Sequence, residues 1–229
     1  MSSGQQRGAD VLLVASHAPD LAGMRPYLGE RLDGVIRNVR VRAKIVGMGM
    51  ATAAAAAARG ILAVQPRAVL MIGTCGVYPN LAQYRPHDVL VPSRAQLVDH
   101  AVLAVRASFP DPMQTVVETH GLMSSALRAC HPRGHLAAVA SPLAQTTDDT
   151  LAAAIAPATG CEAENLELFA VAMACRAADV PFVAALGISN IAGSTGRHDW
   201  SQFQRDAVSS AASAIAAWMH NGAQGLPHS

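Results

Sequence analysis

The chain has 229 residues, of which 51% are hydrophobic and 14% charged, and its formal net charge is +1. This near neutrality excludes a general attraction to nucleic acid or to anionic lipid, so we expect neither as a partner. The hydrophobic fraction excludes a disordered chain and is typical of an α/β enzyme with a substantial core.

Short runs rich in Val, Ile and Leu alternate with longer Ala-rich segments along the chain. In chain order, the runs predict strands at 11–15, 41–46, 68–72, 89–91, 136–140 and 182–188. The Ala-rich segments predict helices at about 19–32, 51–64, 148–156, 165–178 and 201–219. This alternation indicates a mainly parallel or mixed sheet with helices on both faces.

The chain shows no linker-like change in composition, so it predicts one domain over residues 9–221, with flexible tails at 1–8 and 222–229. Segment 106–134 has the least regular pattern and predicts surface loops. No apolar run approaches the length of a membrane span, and the first is too short for the core of a signal peptide.

Cysteine and histidine spacing gives no sign of a disulfide framework or a metal site. Cys75, Cys130, Cys161 and Cys175 show no CxxC pairing, which favours a reducing compartment and predicts a cytoplasmic protein. The fragment CHPRGH at 130–135 lacks a second ligand pair at metal spacing. We therefore expect neither a metal nor another cofactor.

Two glycine-containing turns follow predicted strands. The first, in IVGMGMATAAAAAARG (45–60), lacks the third glycine of a dinucleotide fingerprint, because Thr52 stands there, and no Asp or Glu occurs from 34 to 87. The second, in MIGTCGVYP (71–79), places Thr74 between glycines. Backbone N–H groups at such strand ends can bind a ligand, although close strand–helix packing explains the first turn equally well.

The segment GCEAENLELFAVA (160–172) carries Glu162, Glu164 and Glu167 at a predicted helix start, where acids also suit the helix dipole without any function. Asn190 ends the apolar run VPFVAALGISN (180–190). A buried side-chain amide requires a partner, and binding residues concentrate after buried strands. Asn190 is therefore a candidate binding residue.

In order and spacing, the segments VGMGMATAAAAAA, MIGTCGVYP, RPHDVLVP, ENLELFAVA and VPFVAALGISN resemble the nucleoside phosphorylase and nucleosidase superfamily. The layout is most similar to methylthioadenosine/adenosylhomocysteine nucleosidases and futalosine hydrolases, over roughly residues 11–218. The resemblance implies a three-layer α/β/α fold around a mixed, partly barrel-like sheet. It also implies a homodimer or a higher homo-oligomer.

The ribose-binding signature of that superfamily pairs Met-Glu at a helix start with Ile-Ser-Asp at the end of the next strand. In this chain a similar pairing is formed by Leu166-Glu167 and Ile188-Ser189-Asn190. The resemblance implies that Glu167 accepts hydrogen bonds from the ribose 2′- and 3′-hydroxyls and that Leu166 packs on the sugar. The other substrate-binding residues that it implies are Thr74, Cys75, Gly76 and Ser189.

Asn190 departs from the superfamily pattern, in which an aspartate supports protonation at purine N7. An amide can donate a hydrogen bond to N7 or to a 6-oxo group but cannot deliver a proton. This departure favours a 6-oxopurine leaving group, as in futalosine hydrolases, over adenine.

A second departure concerns the nucleophile. Met71 stands where many phosphorylases of the superfamily carry a phosphate-binding arginine, and Asp20 falls where nucleosidases carry the glutamate that activates water. The resemblance therefore favours hydrolysis, although Asp is one methylene shorter than Glu. Two alternatives stay open: a phosphorylase, with Thr74 and an Arg40 or Arg42 from a neighbouring subunit at the phosphate, and a catalytically silent nucleoside-binding protein.

Overall fold

The computed structural model describes residues 8–228. The strands within this range are β1 Val11–Ala15, β2 Asp33–Ile36, β3 Val39–Ile45, β4 Ala68–Val77, β5 Val89–Val98, β6 Val116–Glu118, β7 Gly134–Pro142, β8 Ala163–Glu164 and β9 Phe182–Ile191. The α-helices are α1 Arg25–Leu28, α2 Met50–Val64, α3 His100–Leu103, α4 Gly121–Ala129, α5 Asp149–Thr159, α6 Leu168–Ala177 and α7 Gly196–His220. A 3-10 helix spans Ala18–Met24.

The strands form one mixed sheet that closes partly on itself. The order is β2-β3-β1-β4-β8-β7-β5-β6, and β9 pairs with both β4 and β5. Strands β4, β8, β7, β5 and β9 thus form a closed ring, while β1, β3 and β2 extend it on one side. The predicted α/β fold with a mixed, partly barrel-like sheet is confirmed.

Successive side chains of the central strands belong alternately to two buried clusters, one on each face of the sheet. Leu12 and Val14 belong to a buried cluster with α2 and α6, whereas Val11 and Leu13 belong to a second cluster that includes residues of α7. Successive side chains of a strand point to opposite faces, so a strand apolar at every position must be covered on both. Helices accordingly pack on both faces, as predicted.

The structure differs from the predicted elements where proline and glycine interrupt helical periodicity. In place of the helix predicted at 19–32, the structure has the 3-10 helix followed by the single helical turn α1. This turn is terminated by Gly29, whose φ is +73°. Segment 106–134, for which we expected loops, contains β6 and α4. The start of α4 is capped by His120, whose Nδ1 accepts a hydrogen bond from Met123 N–H, a cap that apolar periodicity does not reveal.

The structure describes most of the second of the two predicted tails. Residues 1–7 lie outside the described range. Residues 222–228, for which the sequence predicted a flexible tail, contact the domain: Ala223 is buried, Trp218 Nε1–H donates to Gln224 O, and Arg67 Nε–H donates to Pro227 O at 2.6 Å. Within 8–228, no helix has the length and apolar character needed to cross a lipid bilayer.

Parallel pairing brings the carboxyl ends of three strands together. Strand β1 is parallel to β4, and β4 is parallel to β9. A bulge between Cys75 and Gly76 shifts the β4–β9 register so that Gly76 pairs with Asn190. A Cβ on Gly76 would lie 2.7 Å from Asn190 Nδ2, so only glycine fits beside this amide. The edge formed by these strand ends holds the candidate site.

Candidate active site

A cavity of about 330 Å³ opens where β1, β4 and β9 end and α6 and α7 begin. Seven of the eight residues predicted for the site line it: Asp20, Thr74, Cys75, Gly76, Leu166, Glu167 and Asn190. The eighth, Ser189, is buried beside it and donates a hydrogen bond to Asn190. Other lining residues, which were not among the predicted set, are Ser16, His17, Met48, Gln145, Glu164, Asn165, Arg197 and Trp200.

Glu167 immediately precedes α6 and is buried. Its Oε2 accepts a hydrogen bond from Ser16 Oγ at 2.9 Å, and its Oε1 accepts one from the Gly49 N–H at 2.8 Å. A carboxylate has about four lone-pair sites, so both oxygens can accept further bonds from a ligand. The first glycine turn, with φ +84° at Gly49, thus presents its N–H to this carboxylate.

Asn165 fixes the start of α6 against the sheet. Its Oδ1 accepts hydrogen bonds from the N–H groups of Glu167 and Leu168, and its Nδ2 donates to Thr74 O at 2.9 Å. The first helical N–H groups have no partner inside the helix, and a side-chain acceptor here satisfies two of them. Asn165 therefore ties Glu167 to the end of β4.

Asn190 has both ends of its amide engaged by the chain. Its Oδ1 accepts from Ser189 Oγ at 2.7 Å, and its Nδ2 donates to Ile191 O at 3.0 Å. An amide nitrogen carries two hydrogens, so one N–H remains for a ligand. Nδ2 also lies beside Gly196, where a Cβ would approach it to 3.0 Å. Asn190 thus lines the cavity with one amide N–H beyond those the described residues engage.

Asp20 lies in the 3-10 helix and is buried beneath His17. Its Oδ2 lies 2.9 Å from His17 Nδ1. Burial raises the pKa of Asp20, the His17 hydrogen bond opposes that shift, and the nearby charge of Glu167 adds to it. Trp200 also lines the cavity, and its ring centroid lies 6.0 Å from that of His17.

Glu164 is a second buried carboxylate in the wall. Its Oε1 accepts from Thr146 N–H at 3.1 Å, and its Oε2 accepts from Thr146 Oγ1 and from Tyr78 Oη. Burial raises the pKa of Glu164, and these hydrogen bonds oppose the shift without reversing it. The contact anchors residue 146 and so fixes the position of Gln145 at the cavity.

The residues missed from sequence had weak local signals. Ser16 and His17 directly follow the first predicted strand, which is a usual place for binding residues. Arg197 and Trp200 precede the helix start predicted at 201, but α7 begins at Gly196 and carries both to the cavity. Trp200 Nε1–H donates to Thr74 Oγ1 at 3.0 Å, a contact across 126 residues.

The cationic residues considered for phosphate are engaged elsewhere in the chain. Arg40 pairs with Asp10 and Arg42 pairs with Asp33, outside the cavity lining. Among the lining residues, the basic side chains are His17 and Arg197.

Comparison with known proteins gives a consistent family. The phosphorylase superfamily profile matches residues 10–219. A methylthioadenosine/adenosylhomocysteine nucleosidase from Helicobacter pylori, with butyl-thio-DADMe-Immucillin-A, superposes with a TM-score of 0.82 at 15% identity, over 92% of this chain and 97% of that one. Native futalosine hydrolase from the same organism gives 0.81 at 15% identity, with the same coverage.

A third structure, a Neisseria meningitidis methylthioadenosine/adenosylhomocysteine nucleosidase with methylthio-immucillin-A, gives a TM-score of 0.79 at 17% identity, over 92% of this chain and 98% of that one. At these identities the likeness shows the fold. Comparison with curated proteins gives no significant match. The profile spans nearly the whole described domain, and the chain therefore belongs to the phosphorylase superfamily.

Proposed function

We propose that this protein hydrolyses the N-glycosidic bond of a purine nucleoside, with a preference for 6-oxopurines of the futalosine type. One observation carries the proposal. A single cavity is lined by the buried Glu167 carboxylate, which accepts two hydrogen bonds from the chain, together with the Asn190 amide and the Asp20–His17 pair. The similar nucleosidase and futalosine hydrolase structures support the same reaction class.

Glu167 supplies the electrostatic part of the reaction. Cleavage of an N-glycosidic bond develops positive charge on the ribose, and a fixed carboxylate on the 2′- and 3′-hydroxyls favours that charge. Ser16 and Gly49 hold the carboxylate before substrate arrives, so little reorganisation is needed at the moment of reaction. Leu166 provides an apolar surface for the sugar.

Asn190 supplies the base preference. Its Nδ2 uses one hydrogen on Ile191 O and keeps a second N–H, which suits the N7 and 6-oxo acceptors of a 6-oxopurine. Adenine places an amino donor where the oxo acceptor would be. An amide also cannot protonate the departing base, which favours a base that leaves readily as an anion.

Water is the favoured nucleophile. The Asp20 carboxylate with His17 supports an attacking water, whereas a phosphate dianion normally requires several cationic or backbone donors. Arg197 is exposed at the cavity, and the other arginines considered for phosphate are paired with Asp10 and Asp33. Arg197 is the specific feature that keeps phosphorolysis as the second candidate.

The test is a product analysis with inosine, futalosine, methylthioadenosine and adenosine, each with and without phosphate. We expect free base and the unphosphorylated sugar without phosphate, and faster cleavage of inosine than of adenosine. A ribose 1-phosphate product that requires phosphate would establish the phosphorylase instead. Saturable nucleoside binding with no base release, even with enzyme in excess, would establish a silent binding protein.

We also propose that the chain works as a homodimer or higher homo-oligomer. Met48 at the cavity is 65% exposed, and Leu143 and Ile191, close in sequence to lining residues, are 73% and 54% exposed. Exposed apolar side chains at or next to the cavity lining favour burial against another subunit. Light scattering coupled to size-exclusion chromatography measures the mass, and a strictly monomeric species at micromolar concentration would contradict the proposal.

A further inference from the structure

His17 and Asp20 form a pair in which the two side chains differ in access to the cavity. The His17 side chain is 27% exposed and that of Asp20 is 7% exposed, although both contribute to the lining. Asp20 Oδ2 lies 2.9 Å from His17 Nδ1, the ring nitrogen nearer the backbone. The imidazole is therefore the more open member of the pair.

We propose that His17 is the general base of the reaction and that Asp20 is a positioning residue that acts through it. The inference rests on the proposed hydrolysis and refines it. A carboxylate at Nδ1 selects the tautomer with hydrogen on Nδ1, which leaves the Nε2 lone pair as the acceptor. Among residues 8–228, His17 Nε2 has no hydrogen-bond partner, so it is available to water.

The surroundings hold the imidazole next to the proposed sugar site. The Trp200 ring lies 6.0 Å from it, at an interplanar angle of 31°, and Trp200 is itself fixed by its hydrogen bond to Thr74. The preceding residue, Ser16, donates to Glu167. Adjacent residues thus contact the ribose-binding carboxylate and provide the base, which places an activated water near the sugar.

The chemical step balances without a further reactant. His17 Nε2 takes one proton from water while the water oxygen forms a bond to C1′ of the ribose. The C1′–N9 bond breaks, and its electron pair leaves with the purine as an anion that the Asn190 N–H stabilises. The purine then takes a proton from solvent, and His17 returns its proton to solvent.

Reach and burial explain why the carboxylate acts indirectly. Asp20 is 5% exposed, and its carboxyl oxygen lies 3.9 Å from the Cβ position of Gly73, deep against β4. An imidazole between carboxylate and water extends the reach of the buried carboxylate, and the carboxylate stabilises the imidazolium that forms.

The experiment compares His17→Ala, His17→Gln and Asp20→Asn with the wild-type protein on inosine. Removal of a general base typically costs 10²–10⁴-fold, so we expect kcat to fall about 10²-fold in His17→Ala with KM within about threefold. Added imidazole should restore part of the His17→Ala rate in a concentration-dependent way. Imidazole should not restore the rate of His17→Gln, because the glutamine side chain fills the space that alanine leaves open. It should also not restore the rate of Asp20→Asn, in which His17 is still present.

Controls separate this inference from the proposed function. His198→Ala removes an exposed imidazole outside the cavity lining and should keep wild-type kinetics. Calorimetric affinity for hypoxanthine should be equal in the wild type and His17→Ala, which shows that the site is intact. Wild-type kcat in His17→Ala, or a loss that imidazole does not restore, would overturn the role of His17. Absence of base release by the wild type would instead contradict the proposed function.

Discussion

Glu167 accepts a hydrogen bond from the backbone N–H of Gly49, 118 residues earlier in the chain, at 2.8 Å. The contact joins the start of α6 to the glycine turn that precedes α2, and these two helices pack against each other on one face of the sheet. It fixes one oxygen of the carboxylate that we assign to the ribose, while Ser16 fixes the other. The site is thus partly preorganised by the chain itself.

Glu167→Gln tests the charge of this group with little change in shape. The amide can keep its oxygen on Gly49 and turn its nitrogen toward Ser16 Oγ, which can accept, so we expect the fold to persist. Loss of the negative charge should lower kcat about 10²-fold, on the order of 3 kcal/mol. Steady-state base release measures the effect, with Glu162→Gln, outside the cavity lining, as the control. An unchanged kcat would remove Glu167 from the proposed mechanism.

Asn190→Asp tests base selection. The new carboxyl group can keep the Ser189 Oγ–H bond on one oxygen, and only its protonated form can keep the bond to Ile191 O that Nδ2 now donates at 3.0 Å. A protonated acid can deliver a proton to N7 of the purine. The ratio of the cleavage rate of adenosine to that of inosine should therefore rise about tenfold, which corresponds to about 1.4 kcal/mol. Competing-substrate assays measure the ratio. Asn80→Asp, at an exposed turn, should leave it unchanged, and a fixed ratio in Asn190→Asp would argue against base contact.

Glu164→Gln tests the buried carboxylate through the pH dependence of stability. Because burial raises the pKa of Glu164 above its ordinary 4.5, the folded state binds this proton more tightly than the unfolded state. Its contribution to stability is therefore largest at acid pH and declines as pH rises through the window above 4.5. Denaturant titrations should show that the free energy of unfolding of the wild type falls relative to Glu164→Gln between pH 4.5 and 7. A difference that grows in the opposite direction would show that the hydrogen bonds, not burial, dominate.

Gly187→Ala tests the packing of α7 on β9. A Cβ at Gly187 would lie 2.0 Å from Ala207 O, so the helix must move away from the strand. Overpacking of this kind costs about 3 kcal/mol or more when backbone must shift. Urea unfolding measures the loss. Gly121→Ala is the matched control, since a Cβ there meets nothing within 4 Å, and equal stability of the two variants would contradict the packing argument.

The fold class could be predicted because burial leaves a local record in the sequence. Strand 11–15 is apolar at all five positions and is covered on both faces, and the predicted bounds agree with the structure. Strand 89–91 was predicted too short because β5 continues to Val98 with half-buried polar residues, which carry no apolar signal. The prediction of a helix at 19–32 was wrong because the Pro and Gly residues in this segment favour short turns over a regular helix.

The sequence by itself determined which residue types were available for chemistry: a glutamate before α6, an amide near the end of β9 and an aspartate after β1. Only the tertiary structure decided that Ser16 and Gly49 bind Glu167 and that Trp200 contacts Thr74. The physical reason is that hydrophobic periodicity records whether a residue is buried. Which distant side chains meet depends on strand pairing and ring closure, and those contacts span more than 100 residues.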